Sequence, residues 1–417
     1  MPSKPLTPTP AQAPRRIISL LGPAFVAAVA YVDPGNFAAN FSAGATHGYT
    51  LLWVLVVVNL MAVCVQYLAA KVGLVTGSSL SELMGERLSR RGRIAYWAQA
   101  ELVVIATDIA EVIGGALGLH LLFGLPLVVG GVITGIGSML LLAVRSRGGQ
   151  KPFERLIVSL LLVIPAGFVA GLVAKPPAGE SVLRGLVPRL QSSDQLYLAV
   201  AMLGATVMPH VIYLHTSMSR DRHGRATDEQ VPRLLTVTRI DVGVAMALAG
   251  SINISMLVLA GTAMRNHATA DTFEGIHAAL ASQIGEWVAV LFAVGLLVSG
   301  LASTAVGGQA GSSVMDGLVG RKLPASWRRI IAILPAVLLL WVVPDVTGLL
   351  VLSQAVLSFG IPFALIPLVV LASRTSVMGR WRTSGPFAVV MWLVAGVIVA
   401  VCLLLVVVAV LTGLGQG

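Results

Sequence analysis

Two short stretches hold residue types that can bind a cation. In Tyr31-Val32-Asp33-Pro34-Gly35-Asn36, an apolar run meets an acid, a proline and a glycine. Pro34 has no amide hydrogen and Gly35 leaves a helix at little cost, so a helix passing here should break. In Gly204-Ala205-Thr206-Val207-Met208-Pro209-His210, Pro209 interrupts a second apolar run. Broken helices free backbone carbonyls and aim polar side chains at a cavity. Asp33 then offers a hard anionic oxygen, Asn36 an amide oxygen, Ala205 its carbonyl and Met208 a thioether. Oxygens alone suit magnesium or calcium, whereas a soft sulfur favours a first-row transition ion. One carboxylate among neutral ligands gives moderate affinity, which fits an ion that has to leave again. A permanent structural site would carry more Cys or His. Taken singly, Met208 fills space, a Pro kink is ordinary and a buried His is structural.

Two further acids lie where an apolar helix should run. Asp108 and Glu111, in Thr107-Asp108-Ile109-Ala110-Glu111, are three apart and share one helix face. Two acids in lipid need a partner or a proton. Arg328 and Arg329, at the start of a later span, are the candidate partners. The alternatives are proton handling and an inert salt bridge. Gln354 either donates to a ligand or bonds a neighbouring helix. The small residues around Ser303–Ser313 allow close helix packing. Glu101, His47 and His215 carry no assigned role, and Cys64 and Cys402 read as packing residues.

The elements that position these groups are set by the solvent the chain needs. Of its 417 residues 56% are hydrophobic and only 11% charged, whereas a soluble domain carries about 25% charge. Eight stretches without Lys, Arg, Asp or Glu each reach the roughly 18 residues that cross a bilayer. They are apolar throughout rather than alternating, which excludes barrel strands. The pattern predicts an all-α integral membrane protein of about eleven spans: 17–41, 49–75, 94–119, 124–144, 156–174, 195–217, 232–263, 285–314, 327–344, 347–373 and 385–413. Residues 1–16 read as a disordered tail. The first and sixth spans carry the breaks, run in opposite directions and each begin a set of five. Inverted repeats over 17–174 and 195–373 follow, with an additional helix at 385–413; paired interruptions in such repeats point to a transport site.

The net charge of +10 excludes a nucleic-acid reading once its distribution is seen. Of the 28 Lys and Arg residues, 22 fall in alternate loops on one side and 4 on the other, with Lys71 and Arg239 left near span ends. The positive-inside rule puts the N-terminus in the cytoplasm and, after eleven spans, the C-terminus outside. The membrane is the cell's inner or plasma membrane. There is no GxxxxGK[ST] loop for a pump that hydrolyses ATP and no HExxH; His210 and His215 are five apart with no Glu between them, which is not a zinc protease face.

Asp33-Pro34-Gly35-Asn36 and Met208-Pro209-His210 resemble the two signature motifs of the Nramp family of proton-coupled divalent metal transporters. Gly48-Tyr49-Thr50-Leu51-Leu52-Trp53, Ala106–Gly114, Tyr213-Leu214-His215 and Leu352-Ser353-Gln354 extend the resemblance over nearly the whole chain. It implies a LeuT-like fold with broken helices 1 and 6. It implies import of manganese, and also iron, cobalt or cadmium, coupled to protons. The implied ligands are Asp33, Asn36, the Ala205 carbonyl and Met208, with Gln354 joining when the outer path is closed. The implied proton route runs through Asp33, His210, Asp108, Glu111, Arg328 and Arg329. Val211 follows Met-Pro-His where the family usually has Asn, Gly308-Gln309-Ala310-Gly311-Ser312 departs from the family's eighth span, and Gly137 stands where an acid is common. The expected partners are the metal, protons and lipid, with no resident cofactor and a monomeric state. A magnesium or organic-substrate carrier of the same superfamily, or a channel, are the rival readings; Met208 argues against magnesium and Asp33 against an organic anion.

Overall fold

The computed structural model describes residues 22–265, 272–320 and 325–414, with side chains left out at 144–148, 150, 151, 153, 325–329, 332 and 409–414. The tail expected at 1–16 lies outside the described residues. All described elements are helical: α1 Pro23–Ala30, α2 Pro34–His47, α3 Leu52–Thr76, α4 Leu80–Arg87, α5 Arg90–Phe123, α6 Leu127–Gly148, α7 Gln150–Val163, α8 Pro165–Ala174, α9 Gly179–Arg184, α10 Ser193–Thr206, α11 Pro209–His223, α12 Val231–Ala263, α13 Phe273–Gln283, α14 Glu286–Val319, α15 Ala325–Val342, α16 Val346–Ser358, α17 Ile361–Ser373, α18 Thr375–Met378 and α19 Gly385–Leu414.

Among the described residues, eight helical passes are long and apolar enough to cross a bilayer, and two shorter apolar helices occupy α6 and α15. The interrupted α1–α2 pair completes eleven. Trp341 is 77% exposed, Leu102 69% and Leu393 62%. Apolar side chains this open belong against lipid tails rather than water.

Both expected breaks are present. α1 stops at Ala30 and α2 starts at Pro34; α10 stops at Thr206 and α11 starts at Pro209. The span expected at 347–373 is present, and it is interrupted at Phe359-Gly360 before resuming at Ile361. Pro362 lies in the first turn of α17, where its missing amide hydrogen leaves no intrahelical bond unmade. α4, α9 and α13 are short connecting helices that hydropathy alone did not separate.

α5 and α14 form the most extensive helix pair and stand at the centre of the bundle. α12 packs along α2, α16 along α10, and α3 along α11. At the Arg-rich end, α4 opens with a capping box: Ser79 accepts from the Glu82 amide, and Glu82 accepts from the Ser79 amide at 2.8 Å. Arg220, near the end of α11, pairs with the same carboxylate. Burial alone would raise the Glu82 carboxyl; the Ser79 amide and the Arg220 guanidinium outweigh it and hold the group below its usual value.

Candidate functional site

The first break is built to hold one carboxylate. Asp33 is the N-cap of α2, with extended backbone, and its Oδ1 accepts from the Asn36 amide at 2.8 Å. The positive end of α2 faces the acid. Carbonyls freed by the break are taken up from neighbouring helices. Asn253 of α12 donates to the Tyr31 carbonyl at 2.8 Å, and Ser299 of α14 donates to the Val32 carbonyl at 2.5 Å. Neither partner has a local sequence signal, because each lies more than 200 residues away.

The second break meets the first. Asn36 Nδ2 donates to Asp33 Oδ1 at 2.8 Å and to the Ala205 carbonyl at 2.7 Å, so one amide joins both interruptions. Thr206 Oγ1 donates to Asn36 Oδ1 at 3.4 Å. Met208, at the N-cap of α11, is 1% exposed, and Asp33, Asn36 and Gln354 are wholly buried. The junction of the two breaks is therefore buried. Asp33 Oδ2 and Gln354 Oε1 have no hydrogen-bond partner.

Gln354 touches both breaks. A Cβ placed on Gly35 would lie 2.1 Å from Gln354 Nε2, and one on Gly204 would lie 1.9 Å from the Gln354 carbonyl oxygen. Only glycine permits these approaches, so α16 is pressed against α2 by its side chain and against α10 by its backbone. Among the described residues no group of three or more His, Cys, Asp or Glu could hold a metal. The breaks instead bring together one carboxylate, one side-chain amide and one backbone carbonyl.

A second polar zone adjoins the first. His210, in the first turn of α11, is 1% exposed. Its Nδ1 lies 3.4 Å from Thr107 Oγ1 of α5, and its Nε2 has no hydrogen-bond partner. The two acids after Thr107 turn toward α14: a Cβ on Gly307 would lie 2.8 Å from Asp108 Oδ1 and 3.0 Å from Glu111 Oε2. The small residues of the eighth span thus let α14 close over the carboxylates. Arg328 and Arg329 fall within α15, and their side chains lie outside the described residues.

Two residues without an assigned role make long-range contacts, His215 in a buried row and His47 in an exposed pair. His215 Nδ1 lies 2.7 Å from Gln66 Oε1, and Gln66 Nε2 donates to the Tyr31 hydroxyl at 2.5 Å. The row runs from α11 through α3 to the residue before the first break. His47 Nε2 pairs with Asp194 at 2.6 Å, tying the end of α2 to the start of α10. Beyond the site along α2, Phe37 and Phe41 pack with Phe168 and Phe292 at ring separations of 5.1–6.0 Å. Phe273 of α13 stacks on Phe292 at 6.2 Å.

The family model described as "Natural resistance-associated macrophage protein-like" (Nramp) matches residues 24–408. The divalent metal cation transporter MntH of Mycobacterium tuberculosis is 54% identical over 377 residues, covering 90% of this chain and 88% of that protein. The manganese transporter of Eremococcus coleocola, solved with an aromatic bis-isothiourea substituted compound, superposes with a TM-score of 0.86 at 29% identity. That likeness covers 95% of this chain and 88% of the other. A nucleobase-cation-symport-1 family transporter shares the fold alone, with a TM-score of 0.60 at 16% identity over 95% of this chain and 94% of that one.

Proposed function

The chain belongs to the Nramp family, and from that premise we propose that it imports divalent transition metal ions, manganese foremost with iron, cobalt and cadmium as further cargo, together with protons by alternating access. The observation that carries the reading is the Asp33 carboxylate. It is wholly buried at the junction of two broken helices, and its Oδ2 has no hydrogen-bond partner. A buried carboxylate oxygen left unpaired costs about 1–3 kcal/mol or more. A cation or a proton removes that cost, so the residue is poised to take either.

Asn36 supplies the exchange. Its amide N–H bonds hold Asp33 Oδ1 and the Ala205 carbonyl together. A divalent ion seated between the same two oxygens replaces the amide N–H, and rotation of the amide turns its oxygen toward the ion. Met208 adds the thioether that disfavours calcium and magnesium. Gln354 carries an unpaired Oε1 at the junction and completes the set when the outer path is shut. Protons leave Asp33 by way of His210, Thr107 and the Asp108–Glu111 pair, with Arg328 and Arg329 as the basic partners. The protein works as a monomer, with its N-terminus in the cytoplasm.

The test is uptake into proteoliposomes with internal pH followed. The expected result is saturable manganese entry with acidification of the lumen, competition by iron, and little competition by magnesium or calcium. Asp33→Ala should abolish uptake while keeping the parent's size-exclusion profile. Asp108→Asn should keep uptake but change the protons moved per manganese. Flux that does not saturate makes the protein a channel. Near-parent uptake by Asp33→Ala removes the proposed site, and an unchanged proton ratio in Asp108→Asn removes the third-span acids from the route.

A further inference from the structure

Lys71 and Arg239, the two cations that the loop bias leaves over, meet at one place. Lys71 sits five residues before the end of α3 and Arg239 eight residues into α12, roughly 7 and 12 Å from those helix ends at 1.5 Å per residue. Both lie toward the Arg-rich end of the bundle, where spans approach the headgroups. With Arg382, which precedes α19, they line a half-open cavity of about 490 Å³.

The cavity is organised for an anion. Lys71 Nζ donates to Thr383 Oγ1 at 3.1 Å. Arg239 Nε donates to the Tyr67 hydroxyl at 3.3 Å, and its guanidinium lies 5.5 Å from the Tyr67 ring centroid. Tyr67 meets Phe387 edge to face at 5.6 Å. Arg382 Nη1 donates to Thr375 at 3.3 Å. The lining contains no Asp or Glu. Three other arginines at this end have acidic partners: Arg220 with Glu82, Arg222 with Glu154 and Arg380 with Asp228. Among the described residues, Lys71, Arg239 and Arg382 bond only neutral oxygens and the Tyr67 ring. Three convergent, uncompensated cations call for an anionic guest.

The walls say what kind of anion. Tyr67 and Phe387 make one side apolar, and the same three helices present exposed Leu60, Val244 and Val389. A guest therefore has a charged head and an apolar body. Basic pockets between membrane helices at this depth take lipid phosphates. We propose that the cavity between α3, α12 and the start of α19 seats the phosphate headgroup of an anionic phospholipid, with its acyl chains lying against those helices. The shared chemistry is a phosphate ester, and the lipid is its source.

The experiment is native mass spectrometry of the full-length protein after exchange into mixed micelles of phosphatidylglycerol, cardiolipin and phosphatidylcholine. The parent should retain an anionic phospholipid and release phosphatidylcholine. Lys71→Gln with Arg382→Gln should lower that retention about tenfold, which is about 1.4 kcal/mol. Lys71→Arg with Arg382→Lys should keep it. Unfolding midpoints matched in phosphatidylcholine nanodiscs guard against a folding defect; should the double Gln variant not fold, Arg239→Gln is read in the same way. Equal retention of phosphatidylcholine by the parent overturns the proposal, as does undiminished retention by the Gln variants. Displacement of the lipid by millimolar inorganic phosphate overturns the lipid as the source.

Discussion

Asp33 performs two tasks that share one carboxylate. Oδ1 caps α2 through the Asn36 amide, and Oδ2 stays open at the junction. This much was legible in the sequence, because an acid before Pro-Gly inside an apolar run has a local physical meaning. Met208 was legible only by its neighbours, and its contribution can be isolated. Met208→Ala leaves the oxygens of Asp33, Asn36 and Ala205 in place and removes the soft donor. Manganese uptake should persist while discrimination against calcium falls by about tenfold, or about 1.4 kcal/mol. Uptake measured with excess calcium checks this; a variant that excludes calcium as well as the parent does makes Met208 a packing residue. His215, by contrast, stands in a stretch that carries the family resemblance but received no role from the sequence. Its partner Gln66 is 149 residues away, and a lone His near a helix end reads the same whether or not it joins a buried row.

Glycine decides how closely the broken helices approach α16. At Gly35 the obstacle to a larger residue is the amide of Gln354; at Gly204 it is the Gln354 backbone carbonyl. The two positions should therefore respond differently to repair. Gly35→Ala and Gly204→Ala should each destabilise by about 1–3 kcal/mol, the usual cost of overpacking. Adding Gln354→Ala should restore most of the loss in Gly35→Ala and none in Gly204→Ala, read by thermal unfolding in detergent. Equal rescue of both would mean that α16 does not bear on the two breaks as described. At this scale the sequence located two breaks and passed over those at Ile164 and at Phe359-Gly360. Pro34 and Pro209 follow polar or sulfur-bearing residues that marked them out. Gly360-Ile361-Pro362 sits in unbroken apolar chain, and Phe359 and Gly360 keep near-helical backbone angles. Hydropathy has no means of seeing such an interruption.

The whole molecule orders its charges by end. Eleven passes followed from apolar length, while their ends shifted, as where α2 runs on to His47 and α14 to Val319; the central pairing of α5 with α14 did not follow. That pairing rests on Gly300 meeting Gly115 and on Gly307 beneath two carboxylates, contacts between segments nearly 200 residues apart. The side bias of Lys and Arg assigns α9 to the outer face and the start of α5 to the inner one. With Cys64 and Cys402, both free thiols, replaced by Ala, an impermeant maleimide should label Gly179→Cys in intact cells. Arg90→Cys should label only after the membrane is opened. The reverse pattern would invert the molecule.

The five phenylalanines beyond the site have a consequence for leakage. Phe37, Phe41, Phe168, Phe273 and Phe292 are buried to within 1% and lie edge to face or stacked along the outward course of α2. Ring faces offer water no strong hydrogen bond, and a bare ion there would lose its hydration without replacement. Such a cluster excludes by shape and dryness rather than by charge, so the sign and size of an ion make little difference to it. While these rings stay packed, the junction of the two broken helices has no wet path along this side of α2.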